Sequence, residues 1–186
     1  MDGSCGPRSP VNSFSLVAYL PEPLGGFFDR IRGDLVPGCS ARTHITILPP
    51  RPLSCAWTEA WEEVQQRLQG FAPFRVNLGE VRVFDGSHVL YLSIASRRSE
   101  IEQLNALTNT GRMQCTSNFW FKPHITLAQG FSVDEVEAGA LRAQRAWEAY
   151  AGPRYFLLED LTMVQNTNED VWLDLASLRL GTHVSA

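Results

Sequence analysis

Lysine is almost missing from this chain: fifteen of its sixteen basic residues are arginine, and Lys122 is the exception. Positive charge in excess is missing too, the net charge being −4 at pH 7. That excludes a protein that coats long nucleic acid by charge alone, yet leaves room for a local basic pocket around one phosphate. The four cysteines, Cys5, Cys39, Cys55 and Cys115, are scattered and never form a CxxC pair. Neither a disulfide framework nor a zinc site is expected from them, and free thiols suit a reducing, cytoplasmic location. No apolar run approaches the ~20 residues of a membrane span, so no membrane association is expected. The opening residues MDGSCGPRSPVNS lack the basic segment and apolar core of a secretory signal, and residues 1–12 read as a flexible leader. GxGxxG, P-loop and HExxH patterns are all lacking. A dinucleotide fold, a Walker-type nucleotide site and a zinc-protease helix therefore find no support, and no cofactor or metal is expected.

What the chain does have is one phrase said twice. His44-Ile45-Thr46-Ile47 closes one β-branched, apolar run, and His124-Ile125-Thr126-Leu127 closes another eighty positions later. In a strand, residues i and i+2 share a face. Each phrase thus sets an imidazole beside a threonine hydroxyl on one face and sends two aliphatic side chains to the other. Two such His-x-Thr pairs among four histidines arise by chance on the order of a per cent of the time or less. Two core histidines with satisfied nitrogens are the plain alternative.

The order of elements argues against that alternative. A strand over Phe14–Leu20 leads to a helix over Leu24–Leu35, the His44 strand ending at Pro49-Pro50, a helix with Trp57, Trp61, Val64 and Leu68 on one face, and a strand over Phe74–Phe84. After an Asp85-Gly86 hairpin signal the same order starts again. A strand spans His88–Ala95, and a capping box Ser99-x-x-Glu102 opens a helix with Ile101, Leu104 and Leu107 on one face. The His124 strand then spans Phe119–Ala128. A second capping box, Ser132-x-x-Glu135, opens a helix with Val133, Val136, Ala140 and Trp147 inward. Tyr155–Val164 and Val171–Leu175 close the chain as an antiparallel pair. Corresponding pieces lie 76 to 81 positions apart: Phe14 with Leu90, His44 with His124, Phe74 with Tyr155. This is an internal repeat, with lobe-like units over about residues 13–84 and 88–180 inside a single domain, 13–186. The fold class expected is α+β, a duplicated two-lobe sheet with helices on the outer faces and a central cleft carrying both His-x-Thr strands.

Paired His-x-Thr strands in a duplicated α+β chain resemble the 2H phosphoesterase superfamily, and within it the bacterial 2′-5′ RNA ligase-like proteins and cyclic phosphodiesterases. The resemblance covers roughly residues 12 to 180. It implies a bilobal fold and metal-independent chemistry on 2′,3′-cyclic phosphates or 2′-5′ linkages of nucleotides or RNA, with His44, Thr46, His124 and Thr126 in the active site. Many members carry an arginine where this chain has Gln129.

The residues suit that chemistry on their own terms. Opening a cyclic phosphate needs a base for the attacking water on one side of phosphorus and an acid for the leaving ribose oxygen on the other. Imidazole does both near neutrality, and threonine hydroxyls can donate to the non-bridging oxygens. Which histidine is base and which acid is left open. Arg42 and Lys122, each two residues before a histidine, fall on the same strand face and are candidates for substrate contact. Trp120, Phe119 and Tyr91 are candidates for stacking on a nucleobase. His88, in a turn, and His183, in the tail, carry no role. The rival to an enzyme is a non-catalytic nucleotide- or RNA-binding module of the same fold.

Overall fold

The computed structural model describes residues 8–116 and 120–181. Phe119, His183, Cys5 and the first seven residues of the expected leader lie outside the described residues. Eight strands and four main helices follow one another as β1 (Pro10–Tyr19), α1 (Leu24–Leu35), β2 (His44–Arg51), α2 (Trp57–Arg67), β3 (Phe74–Val83), β4 (Leu90–Ile94), α3 (Arg98–Thr108), β5 (His124–Ala128), α4 (Val133–Ala149), β6 (Tyr155–Leu158), β7 (Asp160–Thr167) and β8 (Trp172–Arg179). A short 3-10 turn, Gly111–Met113, follows α3. The α+β class and the two-lobe arrangement expected from the sequence hold.

The strands form two antiparallel sheets of four, ordered β2-β1-β7-β8 and β5-β4-β3-β6. Each His-x-Thr strand is therefore the edge of its sheet. The sheets do not coincide with the halves of the repeat. β3, from the first half, pairs with β4 and β6 of the second, while β7 and β8 complete the sheet begun by β1 and β2. The two halves have exchanged their last strands. Phe74 and Tyr155, matched as equivalents by spacing, instead lie on neighbouring strands of one sheet, with Asn77 opposite Tyr155.

One apolar core joins both sheets to the helices. Leu16, Ala18, Ile45 and Ile47 of the first sheet and Leu90, Leu92, Ile94, Ile125 and Leu127 of the second all point into it. α1 shows why it is a helix: Leu24, Phe28, Ile31 and Leu35 recur at one-turn spacing and are buried, and Pro37-Gly38 stops it, Gly38 turning at φ +85. α4 brings Trp147 to the core, its indole N–H donating to the Gly79 carbonyl at 2.8 Å. The break in alternation within β3, from Leu78 to Val81, is a bulge against β4.

Several local expectations give way, each for a physical reason. β1 begins at Pro10, inside the stretch read as leader, because Asn12 and Leu53 exchange two hydrogen bonds, 3.0 and 2.9 Å, that dock it. β2 runs on through Pro49 and Pro50 to Arg51, which an edge strand tolerates since its outward N–H groups have no ladder partner. The Ser99 capping box does not form. The helix already starts at Arg98 after a left-handed Arg97, and the Ser99 hydroxyl donates to Glu100. The Ser132–Glu135 box does form, with both reciprocal bonds, although Val133 faces solvent. β5 starts only at His124, since Pro123 just before it has no N–H to give. Tyr155–Val164 is two strands that part at Glu159 and enter different sheets.

Candidate functional site

Both His-x-Thr strands show the same burial alternation: His44 and Thr46 half-buried with Ile45 and Ile47 inside, His124 and Thr126 half-buried with Ile125 and Leu127 inside. β2 and β5 contact each other as the edge strands of the two sheets. The histidines are near enough that charge on His124 lowers the proton affinity of His44.

Each imidazole is held the same way. His44 Nδ1 lies 2.7 Å from the Arg42 carbonyl oxygen, and His124 Nδ1 lies 2.7 Å from that of Lys122. A carbonyl can only accept, so Nδ1 carries a proton in both and donates it. The tautomer is fixed by the backbone two residues earlier, and both Nε2 atoms are left for chemistry. Among the described residues neither Thr46 nor Thr126 engages its hydroxyl in a hydrogen bond, so both remain available to a ligand.

The helix of one half braces the histidine strand of the other. Arg32 of α1, buried, donates from Nη1 to the Thr126 carbonyl at 2.7 Å, and Asn105 of α3 donates from Nδ2 to the Ile47 carbonyl at 2.7 Å. These carbonyls lie on edge strands and would otherwise lack a partner. Asp29 completes the frame by accepting both the backbone N–H and the hydroxyl of Thr43, each at 2.6 Å, next to His44. None of these bracing residues stood out in the sequence, where Arg32 and Asn105 look like ordinary members of amphipathic helices.

Proton affinity is lowered at both histidines. At His44 the loss of solvent is the main cause, helped by the charges of Arg32 and His124 and opposed by the Arg42 carbonyl and Asp29. At His124 the loss of solvent again leads, with Lys122 adding to it and the Lys122 carbonyl opposing.

The two flanking cations differ. Arg42 forms an ion pair with Asp174 at 3.1 Å and lies over the Tyr19 ring at 3.7 Å, while the Tyr19 hydroxyl donates to the other Asp174 oxygen at 2.6 Å. Lys122 donates to the Tyr91 hydroxyl at 3.1 Å and sits near the Phe84 ring, and no carboxylate pairs with it among the described residues. Tyr91, a stacking candidate, is buried with its ring stacked on Phe84 at 4.0 Å and edge-on to His124. It has no free face for a base and instead supports Lys122 and His124. Phe84, just after β3 and not among the site candidates drawn from the sequence, is half-exposed and meets His124 at 4.9 Å. An aromatic beside the Asp85-Gly86 turn was the available signal for it. Trp120 is 99% exposed and takes no part in this cluster.

Two histidines, each two residues before a threonine and each held by a backbone carbonyl, thus lie on the contacting edge strands of the two sheets. The model of the 2′-5′ RNA ligase superfamily matches residues 20–170, and the chain belongs to that family. A Staphylococcus haemolyticus protein with a provisional phosphoesterase name is 38% identical over 77 residues, spanning 41% of this chain and 45% of the relative's length. E. coli LigT crystallised with phosphate superimposes with a TM-score of 0.65 at 16% identity, covering 94% of this chain and all of that one. The same protein with 3′-AMP gives 0.64 at 16% identity, covering 92% and 99%. At such identities the likeness speaks for the fold. Among the described residues no helix is long and apolar enough to cross a membrane.

Proposed function

We propose that this protein is a metal-independent phosphodiesterase acting on 2′,3′-cyclic phosphates or 2′-5′ linkages of nucleotides or RNA termini, in the cytoplasm. His44 and His124 are its general base and acid. One observation carries the reading: both imidazoles are pinned through Nδ1 to a backbone carbonyl on strands that contact each other, which leaves Nε2 of each for chemistry. A neutral Nε2 takes the proton of the attacking water, and a protonated Nε2 delivers one to the ribose oxygen as the P–O bond breaks. In-line displacement needs these groups on opposite sides of phosphorus, and their placement on two different edge strands supports that reading. Thr46 and Thr126 donate to the non-bridging oxygens as charge builds there. Lys122, which pairs with no carboxylate among the described residues, is the cation for the substrate phosphate. Arg42, held by Asp174, is not. The nucleotide and phosphate complexes of E. coli LigT fit a cleft of this kind.

The test is turnover of nucleoside 2′,3′-cyclic phosphates and 2′-5′-linked dinucleotides with excess EDTA. Activity should persist under chelation, because the imidazoles and hydroxyls do what a metal would otherwise do. His44→Ala and His124→Ala should each lose about 10²- to 10⁴-fold in rate, the usual scale of a general acid or base. Loss of activity with EDTA that a divalent ion restores would refute the mechanism. Nucleotide binding without turnover would make the protein a binding module of the same fold.

A further inference from the structure

A hollow of about 450 Å³ is lined by Tyr19 and Arg42 and runs toward the crossover between β6 and β7. Tyr19 is the direct cross-strand partner of His44, its ring edge-on to the imidazole at 6.1 Å. The hollow thus borders the cross-strand neighbour of His44, while His44 itself does not line it. Its volume is in the range that encloses a small organic ligand. Leu20 and Leu157 give it an apolar wall, Thr162 and Ser177 offer hydroxyls that already touch at 3.0 Å, and Asp160 and Asp174 supply carboxylates. Among the described residues the one cation lining it, Arg42, is bound to Asp174 and stacked on Tyr19. Such a lining matches hydrogen-bond donors and apolar rings and opposes negative charge. The counterpart cation Lys122 has no such carboxylate among the described residues.

On the phosphodiesterase reading above, we infer that this hollow is the subsite for the uncharged nucleoside part of the substrate, and that Asp174 makes it reject a second phosphate. Asp174 acts through Arg42: by holding the guanidinium it removes the one group there that would attract another anion. It is a specificity-determining residue, not a catalytic one. The substrate class that follows is a nucleoside bearing a single phosphate at its 2′ or 3′ side, with a free hydroxyl at the far end of the sugar.

The experiment is equilibrium binding of uridine 3′-monophosphate and uridine 3′,5′-bisphosphate to the whole protein at low salt, alongside turnover of uridine 2′,3′-cyclic phosphate with and without a 5′-phosphate. The wild type should bind the monophosphate at least about tenfold more tightly, since like charges brought together cost affinity. Asp174→Asn should erase most of that preference by freeing Arg42, read as the ratio of the two affinities. Asp160→Asn, which leaves the Arg42 clamp in place, should reduce the preference by less. The ratio between two ligands on one preparation is insensitive to a loss of folded fraction. Equal or tighter bisphosphate binding, binding of neither probe, or an Asp174→Asn variant that keeps the full preference would each overturn the proposal. A wild type that discriminates in binding but turns over neither cyclic phosphate would sustain the subsite and refute the catalytic reading. Turnover without discrimination would do the reverse.

Discussion

Lowered proton affinity at both imidazoles has a definite consequence for the pH profile. A general base with a lowered pKa becomes competent at lower pH, and a general acid with a lowered pKa loses its proton at lower pH. Both limbs of kcat/KM, which report the free protein, are therefore displaced to the acid side of imidazole's ordinary 6.5. We expect a bell with its maximum below that value and activity falling through neutrality, measured from about pH 4 to 9. The limbs belong to the coupled pair. Arg32→Met should shift the bell upward, because it removes a cation that disfavours the charged form of His44. Thr46→Val and Thr126→Val should lower the rate and leave the limbs in place. A maximum well above 6.5, or a single-limbed profile, would contradict the assignment. The same shifts act on stability. As pH falls below the ordinary imidazole range, the unfolded chain takes up protons that the folded one refuses. Stability then declines until the folded histidines titrate.

Among the elements, the two capping boxes are the sharpest comparison. In the sequence Ser99-x-x-Glu102 and Ser132-x-x-Glu135 are the same signal, yet only the second caps a helix. Ser132→Ala should cost about 1 kcal/mol, whereas Ser99→Ala should stay within about 0.5 kcal/mol, both read from urea midpoints. Equal losses would mean that the Ser99 box forms in solution. The difference was not legible because Arg97 takes a left-handed backbone, φ 65, and starts the helix early. What was legible at this scale was periodicity. α1 starts and ends where its apolar spacing and flanking Pro-Gly predict, and the His-x-Thr strands bury the residues that alternation assigns inward. Bracing contacts such as Arg32 to Thr126 escape such a reading, because pattern reports which face is buried and not what a buried polar tip meets.

At the scale of the whole molecule, the repeat was visible but the exchange of strands was not. Alternation in β3 reads the same whichever sheet it joins, so spacing paired Phe74 with a strand that proves to be its neighbour. The exchange makes the halves interdependent. Cut at the β3–β4 hairpin, the first half loses both partners of β3, and β1 loses β7. Fragments 1–86 and 87–186 should each lack a native-like circular dichroism spectrum, while the intact chain unfolds in one transition seen alike by tryptophan fluorescence and far-ultraviolet dichroism. A folded isolated half would show that the sheets are separable units.

The crossing at Glu159 carries this further. One residue joins β6 of one sheet to β7 of the other, and it is tied to the end of β8 by the Leu180 N–H at 2.7 Å and by Arg179. Tied in this way, so short a connection should act as a spacer, and we expect the two sheets to behave as a caliper locked at one setting more than a jaw that shuts. Ligand capture should then be a single encounter: tryptophan fluorescence after rapid mixing should relax in one phase whose rate rises linearly with nucleotide concentration. A rate that levels off at high concentration would reveal a closing step that the spacer forbids.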